Sequence, residues 1–555
     1  MDIKSGTVPE GLSLGDRRKR GPYYGVKKMK KCFNYLTLLL VLLGLVVGYS
    51  EAATYYADPV NGNNSNPGSA ALPWKTLAEV VSTGKITTLA SGDTLLLRSG
   101  YHGSVSLSGN NAQIITIAAE SGQKPELSKL IFTSGSKWTI KGLTISPSFA
   151  TPYTGGYIVT LAEGGASSEI VLEDCFIYNV LDTSAWTAAD WMGTNSGIFM
   201  GRYGTNITLR NNFVYNTRFG IALCSFNSLC EGNVVSDFSA DGLRATRDGE
   251  TVQYNVIKNC YVDAAAGDAN HDDGMQCFLF NVGTGLVKDI TVRGNVIVNR
   301  TDANQKFPAT MQGIGFFDGP LQNFLVEKNV VLNDSYHGIS LYDAQNCKIL
   351  GNAVYSYWWQ TSGMKPWILL GQKTNQASGN TVRDNLAMSF SFTADPLVTA
   401  SDNNIVTPVA FENALVAAMT EINVRFGPVH ALSGRARLDG YLQTSSSALT
   451  TITGGTAAML IYPSPISKAA LGSKTVKFMC TSSKVFDLII YDATGNVLLS
   501  LPSGASSGNS KNYQSLGIAE WDGTTSSGNK CSRGIYYYSV RDSNGRTKTG
   551  KIAVE

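Results

Sequence analysis

Between about residues 195 and 356, apolar residues recur in short alternating runs, the period of strands rather than of helices. One run places an asparagine before alternating apolar positions: LRNNFVYN, CEGNVVSD, QYNVIKN, RGNVIVN, EKNVVLN and LGNAVYS. These bring Asn212, Asn233, Asn255, Asn295, Asn329 and Asn352 into register. A second run, SGIFMG, FGIALC, DGLRAT, DGMQCF, QGIGFF and HGISLY, lies between them, with glycines at 197, 220, 242, 274, 313 and 338. The glycine spacings of 23, 22, 32, 39 and 25 define a turn of just over twenty residues, with extra loop residues in two turns. One such turn cannot bury its apolar side. Stacked turns can, pairing strand on strand about 4.8 Å apart and lining up like residues in columns. The pattern predicts a parallel β-solenoid, with the asparagines as an internal hydrogen-bonded ladder or as a column of turn residues.

After about residue 400 the repeat fades. Ala410 to Ile422 reads as helical, and SSSALTTITGG as a linker. Alternating strands then follow, separated by Asp-Ala-Thr-Gly-Asn and Asp-Gly turns, as in a β-sandwich. The fold class expected is all-β, a right-handed parallel β-helix followed by a small immunoglobulin-like β-sandwich. The expected boundaries are 1–53 for an N-terminal extension and signal peptide, 54–400 for the β-helix, 401–460 for a cap and linker, and 461–555 for the sandwich.

Composition agrees with many short strands and tight turns: Gly is abundant at 57 residues and Pro scarce at 17. Met29-Lys30-Lys31, the apolar run Tyr35 to Val47 and the small residues up to Ala53 have the three parts of a secretory signal. The apolar run is short for a membrane span, so no stable span is expected after cleavage. Nine of the 45 Lys and Arg and four of the 42 Asp and Glu lie in residues 1–53, which leaves 36 basic against 38 acidic residues. That balance offers no electrostatic footprint for nucleic acid. Beyond Cys32, no two of the eight remaining cysteines have C-x-x-C spacing, which argues against zinc. Six fall in the repeats, where small buried thiols are expected, while Cys480 and Cys531 could pair in an exported protein.

The stretch TYYADPVNGNNSNPGSAALPWKTLAEV (54–80), with SGDTLLLRSGYHG (91–103), resembles the amino-terminal cap and first turn of secreted right-handed parallel β-helix proteins of the pectin-lyase-like superfamily. The resemblance covers roughly residues 54 to 400. It implies a secreted or surface protein of a group that spans polysaccharide lyases, hydrolases, uronate epimerases, tailspikes and adhesins. The tail resembles FlgD-like immunoglobulin-type domains and carboxy-terminal sorting domains of exported bacterial proteins, which implies export machinery as a partner.

Taking each column glycine as position zero, positions one and three point into the core and position two outward, giving Arg244 and Gln276 on neighbouring turns. Asp241 and Asp273 precede their glycines and should also be neighbours, with Arg247, Asp318 and the aromatics Phe278, Phe317 and Tyr342 toward the far ends of the strands. Two carboxylates one strand spacing apart repel, so one should hold its proton unless Arg244 neutralises the pair. The run GDANHDDGMQ adds Asp268, His271 and Asp272, and the two longest turns supply loops 261–272 and 300–311 to wall a groove. The candidate catalytic residues are therefore Asp241, Arg244, Asp273, His271 and Asp272. Gln276, Arg247, Phe278, Phe317, Tyr342, His337 and Asp318 are expected to bind substrate, and Asp268 with Asp263 to hold Ca²⁺ if an ion is used.

The first function expected is cleavage of an acidic, uronate-containing polysaccharide by β-elimination, which needs a base and a cation for the developing enolate. No Lys occupies an outward strand position on the central turns, so base and cation are sought among His, Arg and Ca²⁺. The second is inverting hydrolysis with paired acids. Asp272-Asp273 followed by His337-Gly338 resembles the polygalacturonase pattern, although that family's Asn-Thr-Asp and Arg-x-Lys elements have no match. The third is a non-catalytic glycan-binding surface adhesin.

Overall fold

Three columns of parallel strands wind around one core in the computed structural model, which describes residues 52–426 apart from 91, 154, 263, 278–285 and 302–304, and stretches between 459 and 554. The chain divides into two units, residues 1–52 and 53–555, and residues 1–51 of the expected signal region lie outside the described residues.

The first sheet carries the glycine runs. Its central strands are Ser196–Met200, Ile221–Leu223, Leu243–Ala245, Asp273–Cys277, Gln312–Phe316, His337–Tyr342 and Trp367–Gly371, each parallel to the next. The register is the one the glycines predict: Leu243 pairs with Met275, Arg244 with Gln276, Met275 with Ile314 and Ile314 with Ile339. The second sheet includes Thr208–Arg210, Leu229–Glu231, Thr251–Gln253 and Thr291–Arg293, and the third includes Phe213–Thr217, Val234–Phe238, Val256–Cys260 and Val296–Val298. All pairings within these columns are parallel. The fold is a parallel β-helix.

The asparagine column marks the corner between the second and third sheets. Before each ladder asparagine the chain turns through a left-handed residue, with Asn211, Gly232, Tyr254, Gly294 and Lys328 at φ between +52° and +65°. The amide of Asn255 then donates to Asn295 Oδ1 at 2.9 Å and to the Cys230 carbonyl at 2.9 Å, while Asn295 Oδ1 also accepts the Asn255 backbone N–H at 3.0 Å. The same Nδ2-to-Oδ1 link joins 212 to 233, 233 to 255, 295 to 329, 329 to 352 and 352 to 385, and it ends at Asn403. Of the two expectations for this column, the ladder holds. Buried amides are stable here because each finds its partners on the neighbouring rungs.

The glycine column has a steric cause. A Cβ on Gly274 would lie 2.3 Å from Ile297 Cγ2 and 3.0 Å from the Gly313 carbonyl, and one on Gly313 would lie 2.5 Å from Val331 Cγ1 and 2.2 Å from the Gly338 carbonyl. The first and third sheets approach too closely at this corner for any side chain. Ile198, Ile221, Leu243, Met275, Ile314 and Ile339 fill the core as alternation requires, and Cys175, Cys224, Cys230, Cys260, Cys277 and Cys347 are buried free thiols.

The helical patch expected at Ala410 to Ile422 is the helix Pro408–Phe426, whose Phe411, Leu415, Met419 and Ile422 pack on the outer face of the third sheet. In the C-terminal part, one antiparallel sheet includes Val476–Cys480 and Ile518–Trp521, and another includes Phe486–Tyr491, Val497–Leu501, Gly534–Asp542 and Thr547–Val554. They share a core of Phe478, Phe486, Leu488, Trp521 and Val540. Cys531 is free and the Cys480 side chain lies outside the described residues, so the expected pairing has no support. Among the described residues no helix is long and apolar enough to cross a membrane.

Candidate functional site

The long turns expected to wall a groove pack against one another and against a third insertion, residues 179–195. Val262 N–H donates to the Phe307 carbonyl at 2.8 Å, Lys306 Nζ to the Trp186 carbonyl at 2.9 Å, and the Trp191 ring stacks on Tyr261 with centroids 4.1 Å apart. Loop 261–272 is pinned at Asp268, whose two oxygens take Arg218 Nη1 and Nη2 at 2.5 and 2.7 Å. Asp268 Oδ1 also accepts the Asn270 N–H at 3.0 Å, and Asn270 Nδ2 reaches Asp241 Oδ1 at 3.3 Å. These bonds fix the loop tip that carries His271.

Beside that tip, a cleft of about 270 Å³ opens on the first sheet, lined by His271, Gln276, Gln312, Phe317, Asp318, His337, Tyr342 and Lys373. His271 Nδ1 lies 3.1 Å from Asp273 Oδ2, and Gln276 Nε2 donates to the same oxygen at 3.0 Å. Asp273 is fully buried beneath them, and its Oδ1 has no hydrogen-bond partner. Burial raises its pKa to about 7 against the lowering effect of the His271 contact. The same contact, with the nearby charges of Asp273 and Asp241, raises that of His271. Burial and the contact thus favour an extra proton on the pair; once it is lost, Nδ1–H is turned to the carboxylate and the Nε2 lone pair is left toward the cleft.

His337 has the opposite character. Its Nδ1 lies 2.8 Å from Ser340 Oγ and receives the donor-only indole N–H of Trp367 at 3.3 Å, so the neutral ring carries its proton on Nε2. Burial, with the charge of His271, lowers its pKa. It is a neutral donor at pH 7. Phe317 lies edge-on to both histidines and to Tyr342, with centroids at 6.3, 5.0 and 5.6 Å. Lys373 Nζ closes the far end, 3.2 Å from Asp318 Oδ1 and 5.6 Å from the Tyr342 ring centroid.

Of the residues singled out from sequence, His271, Gln276, Phe317, Asp318, His337 and Tyr342 line this cleft, with Asp273 directly beneath. Asp241 and Arg244 do not. Asp241 is buried, and Arg244 Nε folds onto its Oδ2 at 2.5 Å while the guanidinium lies 4.0 Å over the Phe219 ring. Arg247 lies over the Phe226 ring instead of in the cleft. Asp272, just before the strand Asp273–Cys277, is buried and does not line the cleft. Burial and the Asp268 charge push its pKa up to about 9. Asp268, expected at an ion site, gives its oxygens to Arg218 instead, while Asp263 and Phe278 lie outside the described residues. Among the described residues, no group of three or more His, Cys, Asp or Glu is arranged to hold a metal ion. Gln312 and Lys373 were missed from sequence. Gln312 was visible as the partner of Asp273 in the column, and Lys373 follows the strand whose Gly371 pairs with Tyr342.

No protein-family profile and no curated protein matches the chain. Solved structures similar to it include a lacto-N-biosidase of family GH136 from Eubacterium ramulus, 15% identical over 68% of this chain and 71% of that one, with a TM-score of 0.38. A DFA-IIIase from Arthrobacter chlorophenolicus A6 is 13% identical over 65% and 89%, with a TM-score of 0.40. Pectate lyase Pel9A is 15% identical over 65% and 80%, with a TM-score of 0.31. These likenesses are weak, and the fold rests on the strand registers above.

Proposed function

We propose that the protein is an exported carbohydrate-active enzyme that cleaves an acidic, uronate-containing polysaccharide by β-elimination. One observation carries the choice of reaction: among the described residues, the cleft lining holds two imidazoles and an ammonium, but a single carboxylate, Asp318, which is already paired with Lys373. Inverting or retaining hydrolysis uses two carboxyl groups flanking the bond. Elimination uses a base for the proton next to a uronate carboxylate and a cation for the enolate that develops.

His271 supplies the base through Nε2, with Asp273 orienting the ring and raising its basicity. Lys373 meets the uronate carboxylate, displacing Asp318, and His337 Nε2–H donates to an oxygen of the substrate. The proton next to the uronate carboxylate passes to His271 Nε2, the C–H electron pair forms the new C=C bond as the C–O bond breaks, and the departing glycosidic oxygen takes the proton of His337 Nε2–H; solvent then removes the proton from His271 and restores that of His337. Phe317 and Tyr342 give the sugar an apolar floor. Lys373 takes the cationic role for which Arg244, Arg247 or Ca²⁺ was considered. The C-terminal sheets serve export or surface attachment in this reading.

Incubating the purified protein with acidic and neutral polysaccharides, and reading both reducing ends and the ultraviolet absorbance of unsaturated uronate, tests the proposal. Absorbance together with reducing ends is expected. Reducing ends alone would mean hydrolysis, and glycan binding without either would mean an adhesin.

A further inference from the structure

Tyr336 and Trp367 stack on neighbouring rungs with ring centroids 5.3 Å apart and planes 23° from parallel, and Tyr336 is 44% exposed. The Trp367 backbone N–H donates to the Tyr336 carbonyl at 2.8 Å, and the Trp367 indole N–H is shared between His337 Nδ1 and Ser340 Oγ at 3.3 Å each. The pair is therefore held in place, with an exposed ring beside a residue of the cleft. From it a row of rings runs along the cleft: Trp367 to His337 at 5.3 Å, His337 to Phe317 at 5.0 Å and Phe317 to Tyr342 at 5.6 Å, ending at Lys373.

One end of this row is aromatic and the other carries an ammonium. The apolar C–H face of a pyranose suits the first. A carboxylate finds its match at the other end, where the Lys373 ammonium compensates the hydration it loses. The cation nearest in sequence to the aromatic pair, Lys365, holds its ammonium 4.5 Å over the Trp359 ring. We infer that the cleft is built for an acidic heteropolysaccharide, with an uncharged sugar stacked on Tyr336 and Trp367 and the neighbouring uronate presented to Lys373. The inference rests on the elimination reading and adds the class of substrate to it.

Steady-state kinetics of the full chain on polygalacturonate, a homopolymer of uronate, and on two alternating polymers, hyaluronan and de-esterified rhamnogalacturonan I backbone, provide the test. At least one alternating polymer should give a kcat/KM at least about tenfold above that of polygalacturonate, and Tyr336→Ala should raise KM for it about fivefold, more than it lowers kcat. Unsaturated product formed equally well from polygalacturonate, or an unchanged KM in Tyr336→Ala, would overturn the inference and leave elimination intact. Hydrolytic products, or none, from all three polymers would overturn the elimination reading and the inference with it.

Discussion

His271 Nδ1 stands 3.1 Å from Asp273 Oδ2, pairing an imidazole at the cleft with a carboxyl sealed from solvent. The buried partner fixes the orientation and the tautomer of the exposed one, as second-layer carboxylates do for histidine bases. In the proposed reaction Asp273 acts through His271, beneath the residues that line the cleft. Asp273→Asn should lower kcat by about 10²- to 10⁴-fold, the usual worth of a positioned base. The thermal midpoint at pH 8 should not fall, because the amide removes a carboxyl that burial disfavours in its charged form. Kinetics and calorimetry on the same preparation check both halves.

Stability should decline as the solution turns alkaline. Asp272 is pushed up to about 9 and Glu250 up to about 8, chiefly by burial. Both values lie above those of the unfolded chain, so the folded state binds more protons than the unfolded one between about pH 4 and these values, and ΔG falls as pH rises through that window. Below about pH 4 the two states are equally protonated and these groups have no effect. Asp272→Asn should flatten the decline between pH 5 and 9. A midpoint that rises with pH over this range, or an unaltered slope in the variant, would contradict the assignment.

The asparagine ladder should be costly to interrupt. In Asn295→Ala, the Nδ2 and backbone N–H of Asn255 lose their shared acceptor, and the Val252 carbonyl loses the donor at 3.0 Å. Asn255 Nδ2 keeps the Cys230 carbonyl, and leaving the other two buried groups unpaired costs about 1–3 kcal/mol each, so urea unfolding should show a loss of about 2–6 kcal/mol. A loss below about 0.5 kcal/mol, the size of an ordinary surface change, would mean that water or local rearrangement replaces the ladder.

The β-helix was legible because its two columns obey hard local constraints. Asn255 and Asn295 must meet to satisfy their amides, and Gly274 must lack a Cβ because Ile297 occupies the space. Those constraints set the register and thereby brought His271, Asp273, Gln276 and His337 into one region. They did not say which neighbours face the cleft. Asp272 lies just before the strand Asp273–Cys277, so the strand period does not place it, and it is buried without lining the cleft. Arg244 was placed outward correctly, but whether it faces substrate or folds onto Asp241 depends on Phe219 and loop 261–272, which the period does not describe. Lys373 lies two residues past its strand, in a turn where the glycine pattern has already lapsed: Trp367 pairs with His337 and a bulge follows.

The central claim is that His271 removes a proton from a uronate. The most direct measurement is the ultraviolet absorbance of unsaturated uronate released from acidic polysaccharides by the wild type and by His271→Gln. The account predicts absorbance rising with reducing ends in the wild type and a loss of about 10²-fold or more in the variant, whose side chain cannot accept a proton. Reducing ends without absorbance in the wild type, or an undiminished rate in the variant, would contradict it.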